Sequence, residues 1–161
     1  MRLQFSTLSR AQAEEVVRWR YEPPYHVYNI AEDDHQATVE QFFSDQGSQF
    51  FAVLRDGELT AVWSFGKDGQ VEGGEYNDIY LDMGGALRPD FTGQGLGEEV
   101  VRQGVEFGQE EFERERFRVT IADFNERAKT VYRRVGFKER GRFRRPSDGQ
   151  LFVVFTIILR L

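Results

Sequence analysis

The predicted fold depends on the stretch Leu87-Arg88-Pro89-Asp90-Phe91-Thr92-Gly93-Gln94-Gly95-Leu96-Gly97-Glu98-Glu99-Val100-Val101. Before it, the alternation from Asp78 to Met83 predicts a β-strand, which Pro89 ends because proline has no backbone N–H to donate. After it, apolar residues near helical spacing predict a helix from about Gly95 to Arg114. The glycine-rich turn is therefore expected at a helix N-terminus.

Glycines 93, 95 and 97 leave the backbone of this turn without side chains, so successive N–H groups can surround one anion. The free amides and the positive dipole end of the following helix add to that attraction, which favours a phosphate site. The spacing is not the G-x-G-x-x-G of a dinucleotide fold, and no Gly-Lys-Ser/Thr follows to make a Walker A loop. A helix-capping turn without a ligand is the alternative interpretation.

A second stretch bears on this choice: Val119-Thr120-Ile121-Ala122-Asp123-Phe124-Asn125-Glu126-Arg127-Ala128-Lys129-Thr130-Val131-Tyr132-Arg133-Arg134-Val135-Gly136-Phe137. Together the two stretches resemble the GNAT family of acyl-CoA N-acyltransferases, whose patterns are R/Q-x-x-G-x-G/A and N-x-x-A-x-x-x-Y-x-x-x-G-F. The matching residues are Gly95 and Gly97, then Asn125, Ala128, Tyr132, Gly136 and Phe137. The resemblance covers residues 49–161 well and residues 1–48 loosely. Thr92 departs from it, because the family pattern opens with Arg or Gln at that position.

The resemblance implies one N-acetyltransferase domain over residues 1–161, with residues 1–48 on the acceptor side and residues 49–161 forming the acyl-CoA-binding core. It implies acetyl-CoA as cosubstrate and a primary amine of a small molecule or peptide as acceptor. A non-catalytic acyl-CoA-binding module for sensing or assembly is the alternative. The residues expected to bind the cofactor are Leu87, Thr92, Gly93, Gln94, Gly95, Leu96, Gly97, Asn125 and Lys129.

Tyr132 is the expected general acid, since the matching tyrosine of the family lies beside the thioester sulfur. Seven residues separate it from Asn125, which is close to two helical turns, so both side chains are expected on one side of a helix. With no cysteine in the chain, direct attack by the amine is the simplest mechanism, and backbone N–H groups near Leu87 are expected to polarise the thioester carbonyl. Candidate bases, acting directly or through water, are Glu22, Glu75, Asp78 and Asp82. Strand alternation predicts that Asp78 and Asp82 share a face with Tyr80.

Four aromatic rings and a histidine lie around two prolines between residues 19 and 29. In the family that it resembles, this region lines the acceptor site, so Tyr21, Tyr25 and Tyr28 are expected to bind substrate. Stacked rings suit a cationic or flat amine. The alternative is a hydrophobic plug that packs the first helix onto the sheet.

Composition excludes several classes of function. The absence of cysteine excludes disulfides and cysteine-ligated zinc, and His26 and His35 lack partners at metal-ligand spacing, so no metal is expected. The net charge of −6 and pI near 5.1 argue against non-specific nucleic-acid binding. No apolar run approaches the roughly 20 residues of a membrane span, and a cytoplasmic location is the default expectation. A homodimer is left open.

The helices and strands predicted along the rest of the chain indicate an α/β (α+β) fold. We expect a mixed and mostly antiparallel sheet flanked by about four helices. Ser9 is the expected N-cap of the first helix, and Asp56-Gly57 favours a type I′ hairpin turn. Gly104 and Gly108 each lower helix propensity by about 1 kcal/mol relative to alanine, which predicts close backbone packing there. The last strand is predicted from Leu151 to Leu161.

Overall fold

The computed structural model of the protein describes residues 1–44 and 47–160. Within those residues seven β-strands form one sheet, in the order β1-β2-β3-β4-β5-β7-β6. Neighbouring strands are antiparallel except for β4 and β5, which are parallel. The strands are β1 (Gln4–Thr7), β2 (Ser48–Arg55), β3 (Glu58–Gly66), β4 (Leu81–Leu87), β5 (Arg116–Ala122), β6 (Lys138–Arg144) and β7 (Leu151–Ile158). The predicted fold class is confirmed.

Four α-helices cover the two faces of the sheet in the described residues, namely α1 (Arg10–Val16), α2 (His35–Phe43), α3 (Leu96–Phe112) and α4 (Glu126–Val135). On one face α1 and α2 pack through Ala13 and Val39 onto β2 and β3. On the other face α3 and α4 pack through Val100 and Tyr132 onto the centre of the sheet. None of the described helices combines the length and the apolar character that a bilayer crossing requires.

Two local predictions are confirmed by hydrogen bonds and backbone angles. Ser9 caps α1 in a reciprocal capping box with Gln12, in which each side chain bonds the other residue's backbone N–H. Asp56 and Gly57 both have positive φ, 51° and 80°, as a type I′ turn requires between two antiparallel strands. The cap fixes where the first helix begins, and the turn fixes the β2–β3 hairpin.

The predicted close packing of α3 on the sheet is also confirmed. A Cβ atom at Gly104 would lie 2.6 Å from the Trp63 ring, and one at Gly108 would lie 2.6 Å from the Phe65 ring. Real Cβ atoms do not approach so closely, so glycine lets the helix backbone rest directly on the two rings. The helix is thereby held at a fixed height above β3.

The predicted strand from Asp78 to Met83 is wrong at its beginning. Asp78 lies in a turn, because the Ile79 N–H donates to Asn77 Oδ1 at 3.1 Å and the Asp78 carbonyl accepts from Arg114 at 2.8 Å. These bonds use backbone groups that a strand would have paired, so β4 begins only at Leu81. The expected common face of Asp78, Tyr80 and Asp82 therefore does not exist. The last strand ends at Ile158, and its predicted end at Leu161 lies outside the described residues.

The sheet opens between β4 and β5. Their pairing comprises Leu81 with Phe117 and Asp82 with Arg118, whereas β3 follows β4 as far as Leu87. The N–H of Arg88 bonds the Thr60 carbonyl at 2.8 Å on the β3 side, so by strand alternation the backbone polar groups of Gly85 and Leu87 face β5. The diverging strands leave a wedge with these groups on its wall.

Candidate functional site

A cavity of about 400 Å³ occupies this wedge. Residues 84–87 of β4 and 119–122 of β5 line it, as do residues from the first two turns of α3 and of α4. Residues between α1 and α2 also line it. The volume lies in the range of small-molecule sites, and the cavity brings the two sequence motifs together.

The glycine-rich turn lies where α3 begins. Gly93 and Gly95 have φ of 74° and 79°, and a Cβ at either position would meet nothing within 4 Å. Glycine is needed here for backbone conformation rather than for space. Gly97 differs, since a Cβ there would lie 3.6 Å from the Val131 side chain, at ordinary contact distance. Because Gly95 is the N-cap of α3 and carries no side chain, the first N–H groups of the helix remain open to an anion.

Thr92 and Gln94 both bond back onto the turn. The Thr92 hydroxyl donates to the Pro89 carbonyl at 2.7 Å, and the Gln94 amide donates to the Asp90 carbonyl at 2.7 Å. Thr92 and Gly97 line the cavity together with Leu87. The two side chains therefore shape the turn, and the groups it offers to a phosphate are backbone amides.

Two glutamates lie in the first turn of α3, beside the glycine-rich turn, and one arginine offsets part of their charge. Arg102 donates to Glu98 at 3.1 Å and to Glu99 at 2.9 Å. A hydrogen bond from Gln103, together with Arg102, lowers the pKa of the Glu99 carboxyl. The local charge is therefore closer to neutral than the sequence alone suggests.

Tyr132 and Asn125 both line the cavity from α4. Tyr132 is buried, and its ring packs edge-on against Phe137 at 5.1 Å. Burial raises the pKa of the Tyr132 phenol above its ordinary value, so the hydroxyl keeps its proton at neutral pH. Asn125 is the N-cap of α4, where its Oδ1 accepts the Ala128 N–H at 3.0 Å. Its amide nitrogen donates to the Tyr28 hydroxyl at 3.3 Å.

Lys129 lies away from the cavity wall. It is a buried residue of α4, and its ammonium pairs with Asp123 at 3.0 Å and with Glu126 at 2.8 Å. The bond to Glu126 is the largest influence that raises its pKa. The cation that does line the cavity is Arg127, which the sequence analysis missed although it lies only two residues beyond Asn125.

The three tyrosines expected to bind substrate all reach the cavity. The hydroxyl of Tyr21 donates to the Leu87 carbonyl at 2.7 Å, which ties this loop to β4 across the wedge. Tyr28 stacks on Phe124 at 5.8 Å and Tyr25 lies 6.3 Å from the same ring. Burial raises the pKa of both Tyr21 and Tyr28. The loop is therefore both packed and part of the site.

None of the four candidate carboxylates lines the cavity in the described part of the chain. Asp82 is buried in a two-pronged ion pair with Arg118, at 2.6 and 2.8 Å, and also accepts from Gln70 at 3.0 Å. Glu22, Glu75 and Asp78 are exposed on loops. Asp82 therefore has a structural partner at the point where β4 and β5 part.

Thr120 is the polar side chain that β5 turns toward the cavity. Its hydroxyl lies 3.0 Å from that of Tyr76, which in turn accepts the Val71 N–H at 2.9 Å. Tyr76 lies between strands in the sequence, so alternation and helical spacing gave no signal for it. Within residues 1–44 and 47–160, no three acidic or histidine side chains are grouped to hold a metal ion.

Comparison with known proteins agrees with this arrangement. The family model described as Acetyltransferase (GNAT) domain matches residues 2–138. None of the curated protein sequences matches the chain significantly. Among solved structures, a spermidine N-acetyltransferase chimera of SpeG from Vibrio cholerae and hSSAT superposes with a TM-score of 0.75 at 15% identity, covering 98% of this chain and 96% of that one.

Two further structures contain coenzyme A. The aminoglycoside acetyltransferase AAC(6')-Ib superposes with a TM-score of 0.79 at 17% identity, covering 98% of this chain and 95% of that one. The ribosomal L7/L12 alpha-N-protein acetyltransferase RimL gives 0.71 at 14% identity, covering 98% and 94%. At these identities the likeness is one of fold.

Proposed function

The chain belongs to the GNAT acetyltransferase family, and we propose that it transfers the acetyl group of acetyl-CoA to a primary amine of a small molecule or peptide. The observation that carries this proposal is the cavity between β4 and β5. Thr92 and Gly97, at the two ends of the glycine-rich turn, line it together with the buried, protonated Tyr132. Phosphate binding and proton donation are thus available at one site.

The cofactor is held mainly by the backbone in this proposal. Amides of residues 93–97 bind the pyrophosphate, and the Asn125 side chain binds the pantetheine arm. The Gly85 and Leu87 amides on the wedge wall bind the thioester carbonyl, where negative charge develops during attack. Thr92 supplies no cation, so phosphate affinity depends on amides and on the dipole of α3.

Acetyl-CoA supplies a thioester that the amine attacks directly, since the chain has no cysteine to carry the acetyl group. Tyr132 donates a proton to the departing sulfur in this scheme, and the second proton that the attacking nitrogen loses as the amide forms returns to Tyr132 through water. A thiolate such as that of cysteine has a pKa of about 8.5 and a phenol about 10, so a shared proton stabilises the charge as it forms. The raised pKa keeps Tyr132 in the donor form.

An alkyl ammonium must lose a proton before attack, since its pKa is about 10.4 by the lysine reference. With Asp82 held by Arg118 and the other candidate carboxylates outside the cavity wall, we assign this proton to water rather than to direct contact with a carboxylate. The Thr120 hydroxyl, oriented by Tyr76, is positioned to hold that water. Glu22, Glu75 and Asp78 then receive the proton only through solvent.

The test is turnover of acetyl-CoA with a mixed panel of primary amines, followed as thiol release and as acetylated product by mass spectrometry. Acetylated amine formed in equal amount to free thiol supports the enzyme. Binding of acetyl-CoA without any acetylated product would instead support the alternative, a non-catalytic acyl-CoA-binding module for sensing or assembly.

A further inference from the structure

The acceptor side of the cavity has an aromatic and apolar wall. Tyr21, Tyr25 and Tyr28 contribute from the loop between α1 and α2, and Phe152 contributes from β7. Trp19 belongs to the same wall and is 8% exposed. A flat apolar group placed here would contact several ring faces and edges at once.

This wall is preformed. The hydrogen bond from Tyr21 to the Leu87 carbonyl fixes one ring against β4, and Phe124 supports Tyr25 and Tyr28 from behind. Aromatic rings held in this way bind a ligand with little loss of side-chain entropy. The wall therefore has a defined chemical preference before any acceptor arrives.

The aromatic wall of the cavity carries a positive charge, that of one arginine. Of the described residues that line the cavity, Arg127 alone carries a charge, and its guanidinium lies 4.5 Å from the centre of the Tyr25 ring. Three acidic residues lie close in sequence to this wall: Asp123 and Glu126 both pair with Lys129, and Glu22 is exposed to solvent. Each additional ammonium group of an acceptor would lose its water here without gaining a carboxylate partner.

Three acidic residues, Glu32, Asp33 and Asp34, lie at the end of the same loop, shortly after the lining residue Ile30. All three are exposed to solvent. Salt screens such charges over a Debye length of roughly 8–10 Å, so they attract cations to the surface without compensating a second charge inside. Their presence does not change the preference of the wall.

Resting on the proposed acetyl transfer, we infer that the acceptor is a flat, apolar primary amine with a single positive charge, such as an arylalkylamine. Its ring packs among the tyrosines, and its one ammonium loses the proton before attack. Polyamines and aminoglycosides, which carry several ammonium groups, are poor acceptors because the described residues that line the cavity include Arg127 and no carboxylate.

The experiment compares kcat/KM at saturating acetyl-CoA for 2-phenylethylamine and tryptamine against spermidine, kanamycin and a short peptide with a free N-terminal amine. n-Butylamine serves as an apolar amine without a ring. We expect the two aromatic amines to exceed spermidine and kanamycin on the order of 100-fold, as expected when charged groups are left unpaired. They should also exceed n-butylamine, which has fewer apolar contacts.

Two variants at one position separate ring contact from general damage. Tyr25→Phe keeps the ring beneath Arg127, whereas Tyr25→Leu keeps an apolar side chain without the ring. KM for 2-phenylethylamine should be several-fold higher in the Leu variant than in the Phe variant. KM for n-butylamine should be alike in both. Equal KM values for 2-phenylethylamine in the two variants would contradict ring recognition.

Comparable or higher kcat/KM for spermidine, kanamycin or the peptide overturns the inference about the acceptor while leaving acetyl transfer established. A thermal shift with acetyl-CoA but no acetylation of any amine overturns both the inference and the proposed enzyme. The acetyl-CoA shift is measured on each variant so that a folding defect is recognised.

Discussion

Tyr132 sits in an apolar environment that suits a proton donor. Its ring is packed against Phe137, and burial raises the pKa of its hydroxyl. Tyr132→Phe keeps the ring and its packing while it removes the proton. We expect turnover to fall on the order of 10²-fold or more with little change in the affinity for acetyl-CoA. An unchanged rate would remove Tyr132 from the chemistry.

The raised pKa of Tyr132 also predicts how turnover depends on pH. A phenol in the unfolded chain ionises near pH 10, and burial moves this ionisation to higher pH in the folded protein. Tyr132 should therefore cause no loss of rate up to about pH 10. The rate of turnover should rise over the same range because the amine substrate loses its proton. A rate profile from pH 6 to 10 at saturating substrates tests this, and an alkaline limb near pH 8 that Tyr132→Phe abolishes would contradict it.

At the scale of elements, the turn before α3 offers a matched pair of variants. Gly93 and Gly149 have the same φ of 74°, and a Cβ at either would meet nothing within 4 Å, but Gly149 lies in the β6–β7 turn. Alanine should strain both turns by about 1 kcal/mol. Gly93→Ala alone should weaken acetyl-CoA binding, on the order of tenfold for each 1.4 kcal/mol lost. Equal affinities in calorimetric titration would show that the turn is not a phosphate site.

The packing of α3 on Trp63 gives a prediction about stability. Alanine at Gly104 raises helix propensity by about 1 kcal/mol, but its Cβ would overlap the Trp63 ring, and overpacking costs about 1–3 kcal/mol. The second effect should exceed the first, so urea denaturation should show a less stable Gly104→Ala protein. Gly141→Ala, where a Cβ meets nothing within 4 Å, is the control. A more stable Gly104→Ala protein would contradict the close approach seen here.

The sequence predicts an element well when the interactions that form it join residues close together in the chain. The hairpin at Asp56-Gly57 and the cap at Ser9 are short-range, and both were predicted. The start of β4 was not, because the turn at Asp78 depends on Arg114, 36 residues away. Long-range contacts of this kind leave no periodic signal.

The candidate site follows the same rule. Motif spacing placed Asn125 and Tyr132 on one side of α4, and both line the cavity. The contribution of Thr120 and Tyr76 depends on a contact across 44 residues. The burial of Asp82 against Arg118 depends on the pairing of β4 with β5, so alternation alone misjudged it as a free carboxylate.

At the scale of the whole molecule, the sheet consists of two antiparallel halves joined at β4 and β5. The Asp82–Arg118 pair lies at the last matched position of that junction, and both side chains are 4% exposed. Asp82→Asn leaves a buried guanidinium without its charge partner, which costs about 3–5 kcal/mol. Thermal and urea unfolding should show this loss.

The exposed pair of Arg145 with Asp148 is the control for that loss. Arg145 lowers the pKa of the Asp148 carboxyl to about 2. Because solvent screens this pair, Asp148→Asn should change stability little at pH 7.

In the fraction of Asp82→Asn protein that is folded, turnover per molecule should stay within a few-fold of wild type. A loss as large as that of Tyr132→Phe, in a fully folded variant, would restore Asp82 as the base.

The measurement that bears most directly on the account is the thermal midpoint of the protein with acetyl-CoA, using adenosine monophosphate and NAD as controls. Occupancy at 100 times the dissociation constant adds about 2.7 kcal/mol to the free energy of unfolding. For a domain of this size that raises the midpoint by several degrees. A rise specific to acetyl-CoA, reduced in Gly93→Ala, is the predicted result. No rise at millimolar acetyl-CoA would mean that the wedge between β4 and β5 is not its binding site.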